Sequence, residues 1–372
     1  MERELTLGIE EEYQICDPAT GELAPGVERL LEAADPELRA RMAFELLHTV
    51  LEANTAAAES LEDAMAKTVR LRAELFALAE RQGLALGLTG THPFARWSDQ
   101  DFVATPDYQW VGDQLRYLAR RNLTFGLHVH VGVAGAEARV SVNNRLRTWS
   151  APLLALSCNS PFFEGAATGF LSIRTHVFGA FPRTGTPPLF RGLADYRATI
   201  AALKAAASIT KDRQVWWNVR PREEFGTVEL RVMDMQVSLR RVRGIAAACQ
   251  ALVARHVREF RDGRTEDDLR EAFLADALFK AMRFGLEGRI VHPAHGTTLT
   301  MREAVAELLE AASPAARDLG TDADLRILEE VLSEGTESEA QLALLEELGD
   351  LQQVQLRLLE RAREGARAHQ PA

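Results

Sequence analysis

From residue 5 to 15 apolar and polar positions alternate. Leu5, Leu7, Ile9, Glu11, Tyr13 and Ile15 fall on one side, and Thr6, Gly8, Glu10, Glu12 and Gln14 on the other. A period of two predicts a strand with one apolar and one polar face. Asp17-Pro18-Ala19-Thr20-Gly21 then supplies turn chemistry. Residues 60–82 carry Leu61, Met65, Leu71, Leu75 and Leu78 at helical spacing, with Gly83 placed as a C-terminal cap. Residues 84–89 read as a strand and 105–121 as largely helical after Pro106. Segment 126–133, GLHVHVGV, is the clearest strand. Its Leu127, Val129, Val131 and Val133 face one way and His128 and His130 the other.

A helix is expected near 142–158, followed by a Gly/Pro/Phe-rich stretch, 159–188. That stretch is too long for an ordinary connection and is expected to work as a lid over the site. A helix over 195–207 leads to strands at 215–219 and 227–232, and from Leu239 onward the periodicity is almost wholly helical. Breaks are expected near Gly263, Gly285, Ser313-Pro314, Gly320 and Gly335. Leu344, Leu348, Leu351 and Leu358 form a stripe over 337–364 that reads as core rather than as an oligomer contact. No repeat or flexible linker divides the chain. The pattern predicts one α+β domain over 1–372: a mainly antiparallel or mixed sheet backed by helices in 1–238, and a mostly helical part in 239–372.

Composition narrows the class. Hydrophobic residues at 47% and charged residues at 26% exclude disorder and fibres. A net charge of −11 argues against nucleic acid and anionic membranes as partners. The three cysteines, Cys16, Cys158 and Cys249, lie far apart without a Cys-x-x-Cys pair, which reads as reduced thiols in a reducing compartment. The charged, strand-like first residues do not read as a signal peptide, and no apolar run reaches the roughly 20 residues of a membrane span. The expectation is a cytoplasmic protein. A homodimer is expected only on general grounds.

Four groups could carry chemistry. Glu10 and Glu12, two residues apart on a strand, share a face about 7 Å apart, where like charges repel unless a cation or proton intervenes. His128 and His130 share a face with Gly126 and Gly132, whose small size leaves room for a ligand. Glu229 and Arg231 share another, with Lys211, Arg213 and Arg220 adding positive charge nearby. Glu45 and Glu52 would reach one site from an extended segment only if a bulge or turn lay between them. Each group also has a plainer reading, as a solvated edge, a structural histidine or a simple ion pair. No phosphate-binding glycine loop, Gly-x-Gly-x-x-Gly, His-Glu-x-x-His or Gly-x-Ser-x-Gly is present. Any phosphate must therefore be handled by carboxylate-held cations and arginines. Oxygen-rich donors favour Mg²⁺ or Mn²⁺ over zinc.

The blocks TLGIEEEYQICDPATGEL, FELLHTVLEANT, GTHPF, FGLHVHVGV, NSPFFEGAATGFLSIRTHVFGAFPRTGTP and WWNVRPREEFGTVELRVMD follow one another in order. In these the chain resembles the YbdK-type carboxylate–amine ligases of the glutamate–cysteine ligase family. The resemblance implies a glutamine-synthetase-like curved sheet whose polar face holds metal ions between ATP and an amino-acid substrate. It implies metal-binding roles for Glu10, Glu12, Glu45, Glu52, His128 and Glu229, and catalytic roles for Arg231 on phosphate and His130 on substrate or phosphate. It places Arg174 on the substrate carboxylate, with Lys211, Arg213 and Arg220 toward ATP. The implied reaction is ATP-dependent amide formation through an acyl phosphate, with weak glutamate–cysteine ligation as a side activity, using amino-acid and amine substrates and Mg²⁺. The alternatives are a metal-dependent hydrolase built on the His-x-His pair, or a nucleotide- or amino-acid-binding protein that has lost turnover.

Overall fold

The computed structural model describes residues 4–264 and 269–368. The alternating segment at the N-terminus forms β1, Leu7–Cys16. It lies in the middle of a seven-stranded sheet, because its apolar side needs cover and its polar side needs partners. The neighbouring strands are β2 (Met42–Phe44), β3 (Val50–Asn54), β4 (Ala85–Gly87) and β5 (Gly126–Gly132). Four short strands in two pairs come between these and the last sheet strands: β6 and β7 (Phe162–Phe163, Ala166–Ala167), and β8 (Thr184–Gly185) with β9 (Trp216–Trp217). The sheet is completed by β10 (Val219–Arg222) and β11 (Thr227–Asp234). The order is β10-β11-β5-β1-β3-β2, with β4 beside the end of β1, and every pairing in it is antiparallel.

One face of this sheet is dry. Leu7, Ile9, Leu127, Val129, Val131, Val228, Leu230 and Val232 are buried against the helix Leu239–Arg261, which itself packs on Met301–Leu319. The helical third therefore forms the other half of the core. Glu11 is the exception on the apolar side of β1. It is buried and forms a bidentate pair with Arg72 of the helix Leu61–Arg81, and Tyr13 donates its hydroxyl to the same carboxylate at 2.5 Å. Arg72 also donates to the carbonyls of Gln236 and Val237 at 2.8 Å each, tying the helix to the end of β11. Ser60 caps that helix by accepting from Asp63 N at 3.1 Å, and Gly83 turns the chain out of it at φ +66°.

Several boundaries differ from the sequence pattern. The helix expected over 142–158 begins earlier, as Ala136–Leu146, and continues through a 3₁₀ turn into Ser150–Ser157. Its polar residues Arg139, Asn143 and Asn144 are buried, which hid the apolar period. The helical stretch after Pro106 breaks at Arg116, whose φ is +49°. The strand expected over 215–219 is split at Asn218, which bonds Gly185 O with its N–H and accepts from Arg231 N, each at 2.8 Å. Stretch 159–188 is not a free lid. Asn159 N, Ser160 Oγ and Ser172 Oγ all donate to the buried Asp234 carboxylate at 2.8, 2.6 and 2.8 Å, and residues 173–178 form a helix.

In the C-terminal third a hairpin, β12 (Arg289–Val291) and β13 (Thr298–Thr300), interrupts the helices. Pro314 lies inside Met301–Leu319 instead of ending it. Gly349 at φ +69° divides the last stripe into Glu337–Leu348 and Leu351–Arg367. Leu344 and Leu358 of that stripe are buried with Phe162, as expected of core, whereas Leu348 is 38% exposed.

Arg72→Met leaves Glu11 charged, buried and unpaired. It is expected to lower the unfolding free energy by about 3–5 kcal/mol in urea titration. His92 sets a pH dependence. Its Nε2–H donates to Gly21 O at 2.8 Å and its Nδ1 accepts from Ala95 N at 3.0 Å, so the native ring is neutral, and burial holds it down to about 4. The unfolded chain binds a proton near pH 6.5 that the native chain refuses. Stability from His92 is thus complete above pH 6.5 and falls as pH drops toward 4, by up to about 3 kcal/mol. Urea midpoints measured from pH 7.5 to 4.5 should fall less steeply in His92→Gln than in the parent; equal slopes would refute the assignment.

Candidate active site

Register alone assembles most of the polar face. Across β1 and β3, Glu12 stands opposite Glu52; across β1 and β5, Glu10 stands opposite His128. Across β5 and β11, His130 stands opposite Glu229, and across β11 and β10, Glu229 stands opposite Arg220. Directly opposed residues have Cβ atoms about 5 Å apart, so one line of side chains crosses five strands. Glu45 joins it from the turn between β2 and β3, the turn its seven-residue separation from Glu52 required. These side chains, the buried His128 and Glu229 apart, line a cleft of about 640 Å³ with Arg174, Arg220, Arg222 and Arg231.

Three clusters within it have ligand atoms close enough to share a cation: Glu10–Glu12–His128, Glu10–His130–Glu229 and Glu12–Glu45–Glu52, each with its atoms within 4.8 Å of one another. Glu10 and Glu12 link the three into a row. In the third cluster no arginine or lysine among the described residues compensates the carboxylates by direct contact. Burial, and then repulsion from Glu12, pushes Glu45 up to about 7, while burial with repulsion from Glu10 and Glu45 holds Glu52 well above its ordinary range. Burial raises Glu12 as well, against the opposing charges of Arg174 and Arg231.

At the other end charge is balanced differently. Glu229 is fully buried and accepts from Arg220 Nε at 2.6 Å, Arg220 Nη2 at 3.1 Å, Arg222 Nη1 at 3.1 Å and Arg231 Nη1. Burial works against its ionisation, but Arg220 and Arg231 outweigh it and hold Glu229 well below the carboxylate range. Three guanidiniums on one carboxylate leave a local positive excess, suited to anionic phosphate oxygens.

The middle of the row tests whether a cation fits. His128 Nδ1 is 2.5 Å from Glu10 Oε1. Burial opposes Glu10's ionisation, yet the charge of His128 and hydrogen bonds from both histidines depress it well below the ordinary value. That depression calls for a charged His128, whereas burial and Arg231 push His128 down to about 4, toward the neutral ring. Geometry favours neutral: the ring is wholly buried and its Nε2 has no hydrogen-bond partner among the described residues. With the proton on Nδ1 facing Glu10, the Nε2 lone pair points into a space where Glu12 Oε1 lies 3.9 Å away. Two acceptors facing each other without a donor suit a divalent cation between them, so the donor set fits one. His130 Nε2 is 3.7 Å from Glu10 and 3.8 Å from Glu229, with Nδ1 bonded to Thr227 Oγ1 at 3.1 Å.

Arg174 enters the cleft from the helix Ile173–Phe178. It lies against Gly126, where a Cβ would come 2.1 Å from Arg174 Nη2, so the space left by that glycine is taken by a guanidinium. Arg174 is buried, makes one long bond to Arg231 O at 3.4 Å, and leaves its Nε without a partner. Arg213 also reaches the cleft, but both it and Lys211 are ion-paired to Asp107, and Lys211 lines a separate surface depression instead. The structure thus brings together all the sequence candidates except Lys211. Arg222 and Tyr108 were missed by sequence reasoning. Arg222 was within reach of it, since Arg220 and Arg222 stand two apart on one strand face; nothing in the sequence pointed to Tyr108.

Comparison with known proteins agrees with this architecture. Residues 6–357 match the profile of Glutamate-cysteine ligase family 2 (GCS2). A Herpetosiphon aurantiacus protein named "Putative glutamate–cysteine ligase 2" is 36% identical over 360 residues, 97% of this chain and 94% of its own. A protein of the same name from Thermobifida fusca is 35% identical over 368 residues, 98% of this chain and 92% of its own. Among solved structures, glutamate–cysteine ligase from Francisella tularensis in complex with AMP superposes with a TM-score of 0.74 at 12% identity, covering 99% of this chain and 90% of that one. A bifunctional glutathione synthetase from Pasteurella multocida gives 0.71 at 13% identity, with 98% of this chain on 53% of that one. At such identities the likeness shows the fold, and that fold is the one expected from the sequence. With the profile spanning nearly the whole length, the chain belongs to glutamate–cysteine ligase family 2.

Proposed function

We propose that this cleft joins a carboxylate to an amine at the expense of ATP, releasing ADP and inorganic phosphate. The observation that carries the reading is the single row of carboxylates and histidines ending in three arginines on one carboxylate. A carboxylate is a poor acyl donor, so its oxygen first attacks the γ-phosphorus. A new O–P bond forms, the bond to the bridging oxygen breaks and ADP leaves. The amine nitrogen then attacks the acyl carbon, the C–O bond to phosphate breaks, and the nitrogen gives up a proton.

Such chemistry needs positioning and charge neutralisation more than a covalent nucleophile. Arg220, Arg222 and Arg231 would meet the phosphate oxygens, with His130 beside them, and Arg174, whose Nε is without a partner among the described residues, would hold a substrate carboxylate. Glu10, Glu12, Glu45, Glu52, His128 and Glu229 would hold Mg²⁺ or Mn²⁺, which supplies positive charge against the phosphates. A hydrolase built on the two histidines finds less support, because carboxylates outnumber imidazoles in every cluster.

Phosphate release should require ATP, a divalent cation and an acid–amine pair together, and should stop on adding EDTA. Glu229→Gln loosens all three arginines and is expected to lower kcat by on the order of 10²–10³-fold. Lys211→Ala, outside the cleft, should change KM for ATP by less than about twofold, as befits an exposed ion pair. Unchanged turnover in Glu229→Gln would remove that residue from the site.

A further inference from the structure

Beside the arginines on Glu229, one wall of the cleft holds a side chain that the proposed chemistry leaves unused. Gln214 closes a 3₁₀ turn, Asp212–Gln214, and is only 4% exposed. Its Oε1 accepts from Thr210 N at 2.6 Å, Lys211 N at 3.0 Å and Thr210 Oγ1 at 3.1 Å. Two backbone N–H donors on that oxygen fix which end of the amide is which. The amino end, Nε2, has no hydrogen-bond partner among the described residues, yet it is not sealed from solvent. Gln214 lines the cleft and not the surface depression lined by its neighbours Asp212 and Val215, so this donor opens into the cleft. A nearly buried amide with unspent N–H groups calls for an acceptor on a ligand.

Trp216, two residues on, gives the same wall its shape. It lines the cleft half-buried, and Phe181 packs on its ring in an edge arrangement with centroids 5.5 Å apart. Arg183 does not line the cleft. Its guanidinium sits over the indole, 5.5 Å from the ring centroid, and its carbonyl accepts from Trp216 N at 2.8 Å. The cation thus covers the ring from behind, and the rest of the indole faces the cleft. Arg220 fixes where this wall lies. Its Nη1 donates to Val215 O at 2.6 Å and Arg213 O at 3.0 Å, while its Nε and Nη2 hold Glu229. Gln214 and Trp216 flank Val215, so both stand next to a group that would meet phosphate oxygens.

The chemistry of this wall discriminates between parts of a ligand. An ammonium would meet an indole that already carries a guanidinium, and an amide end that only donates. A carboxylate would give up water for one neutral donor, since Arg213 is held by Asp107 and Arg183 lies behind the ring. A flat, uncharged ring bearing an acceptor nitrogen gains from both residues at once. We propose that Gln214 and Trp216 form the nucleobase site of the cleft, where the purine of ATP lies on the indole and a ring nitrogen accepts from Gln214 Nε2. The proposal rests on the ligase reading above and assigns the part of the nucleotide which that reading leaves unplaced.

Calorimetry with Mg²⁺ present compares ATP with inorganic tripolyphosphate, which has the phosphates and no base. The parent should bind ATP more tightly than tripolyphosphate by about tenfold or more. Trp216→Ala should weaken ATP by about fivefold or more and leave tripolyphosphate unchanged, while Trp216→Phe should keep most of the affinity. Gln214→Glu keeps an acceptor for Thr210 N and Lys211 N but removes the donor, so it should lower the preference for ATP; tripolyphosphate reads the effect of the added charge. Among 1-, 3- and 7-deaza-ATP, at least one should bind the parent about fivefold or more weakly than ATP, and Gln214→Glu should bind that analogue and ATP alike. Equal affinity of the parent for ATP and all three analogues would overturn the proposal without recourse to any variant. So would Trp216→Ala weakening ATP and tripolyphosphate equally, or raising KM for acid or amine with ATP binding unchanged, since the wall would then serve another group. Binding of neither ATP nor tripolyphosphate to the parent would instead sink the ligase reading itself.

Discussion

Repulsion between closely held carboxylates is the constraint around which this molecule is arranged. Glu10, Glu12, Glu45 and Glu52 belong to clusters only a few ångströms across, in ground where solvent screens little. Such a cluster does not hold itself together. Rigid strands enforce it, and those strands stay fixed because their other face is packed dry against the helix Leu239–Arg261. The apolar stripe of β1 and β5 thus fixes the spacing of the carboxylates on the reverse. Glu11 shows the same discipline from the opposite side: a charge pointing into the core is tolerated because Arg72 meets it with a bidentate pair.

Charge is sorted along the cleft as well as across the sheet. Three guanidiniums gather on Glu229, while among the described residues Glu12, Glu45 and Glu52 have none in direct contact. On the ligase reading, a site with one positive and one negative end would hold a phosphate chain in one direction. His128 stands between these ends, buried and neutral, one nitrogen committed to Glu10 and the other uncommitted. An orphaned buried acceptor is costly, and it persists where a cation repays it.

The sheet's central strands were legible because both β1 and β5 alternate without interruption, and alternation fixes which side chains share a face. Glu10, Glu12, His128 and His130 followed from that alone. Glu45 and Glu52 were legible only conditionally, since the turn between β2 and β3 carries no strong Gly or Pro signal. What escaped was whatever depends on tertiary partners. The buried asparagines and arginine of the helix Ala136–Leu146 look like surface in a one-dimensional pattern. Stretch 159–188 looks like a lid until Asp234, more than forty residues beyond its end, is seen to pin it. Pro314 reads as a break, but packing carries the helix through it.

That pinning bears on how Arg174 is held. Arg174 and Phe178 are one helical turn apart on Ile173–Phe178, so they present a cation and a ring on the same side. The helix is anchored at its start, where Ser172 donates to Asp234 and Arg174 N donates to Ser160 Oγ at 3.2 Å. A side chain mounted this way is held where the fold puts it, so on the ligase reading Arg174 would meet a substrate carboxylate in one fixed orientation.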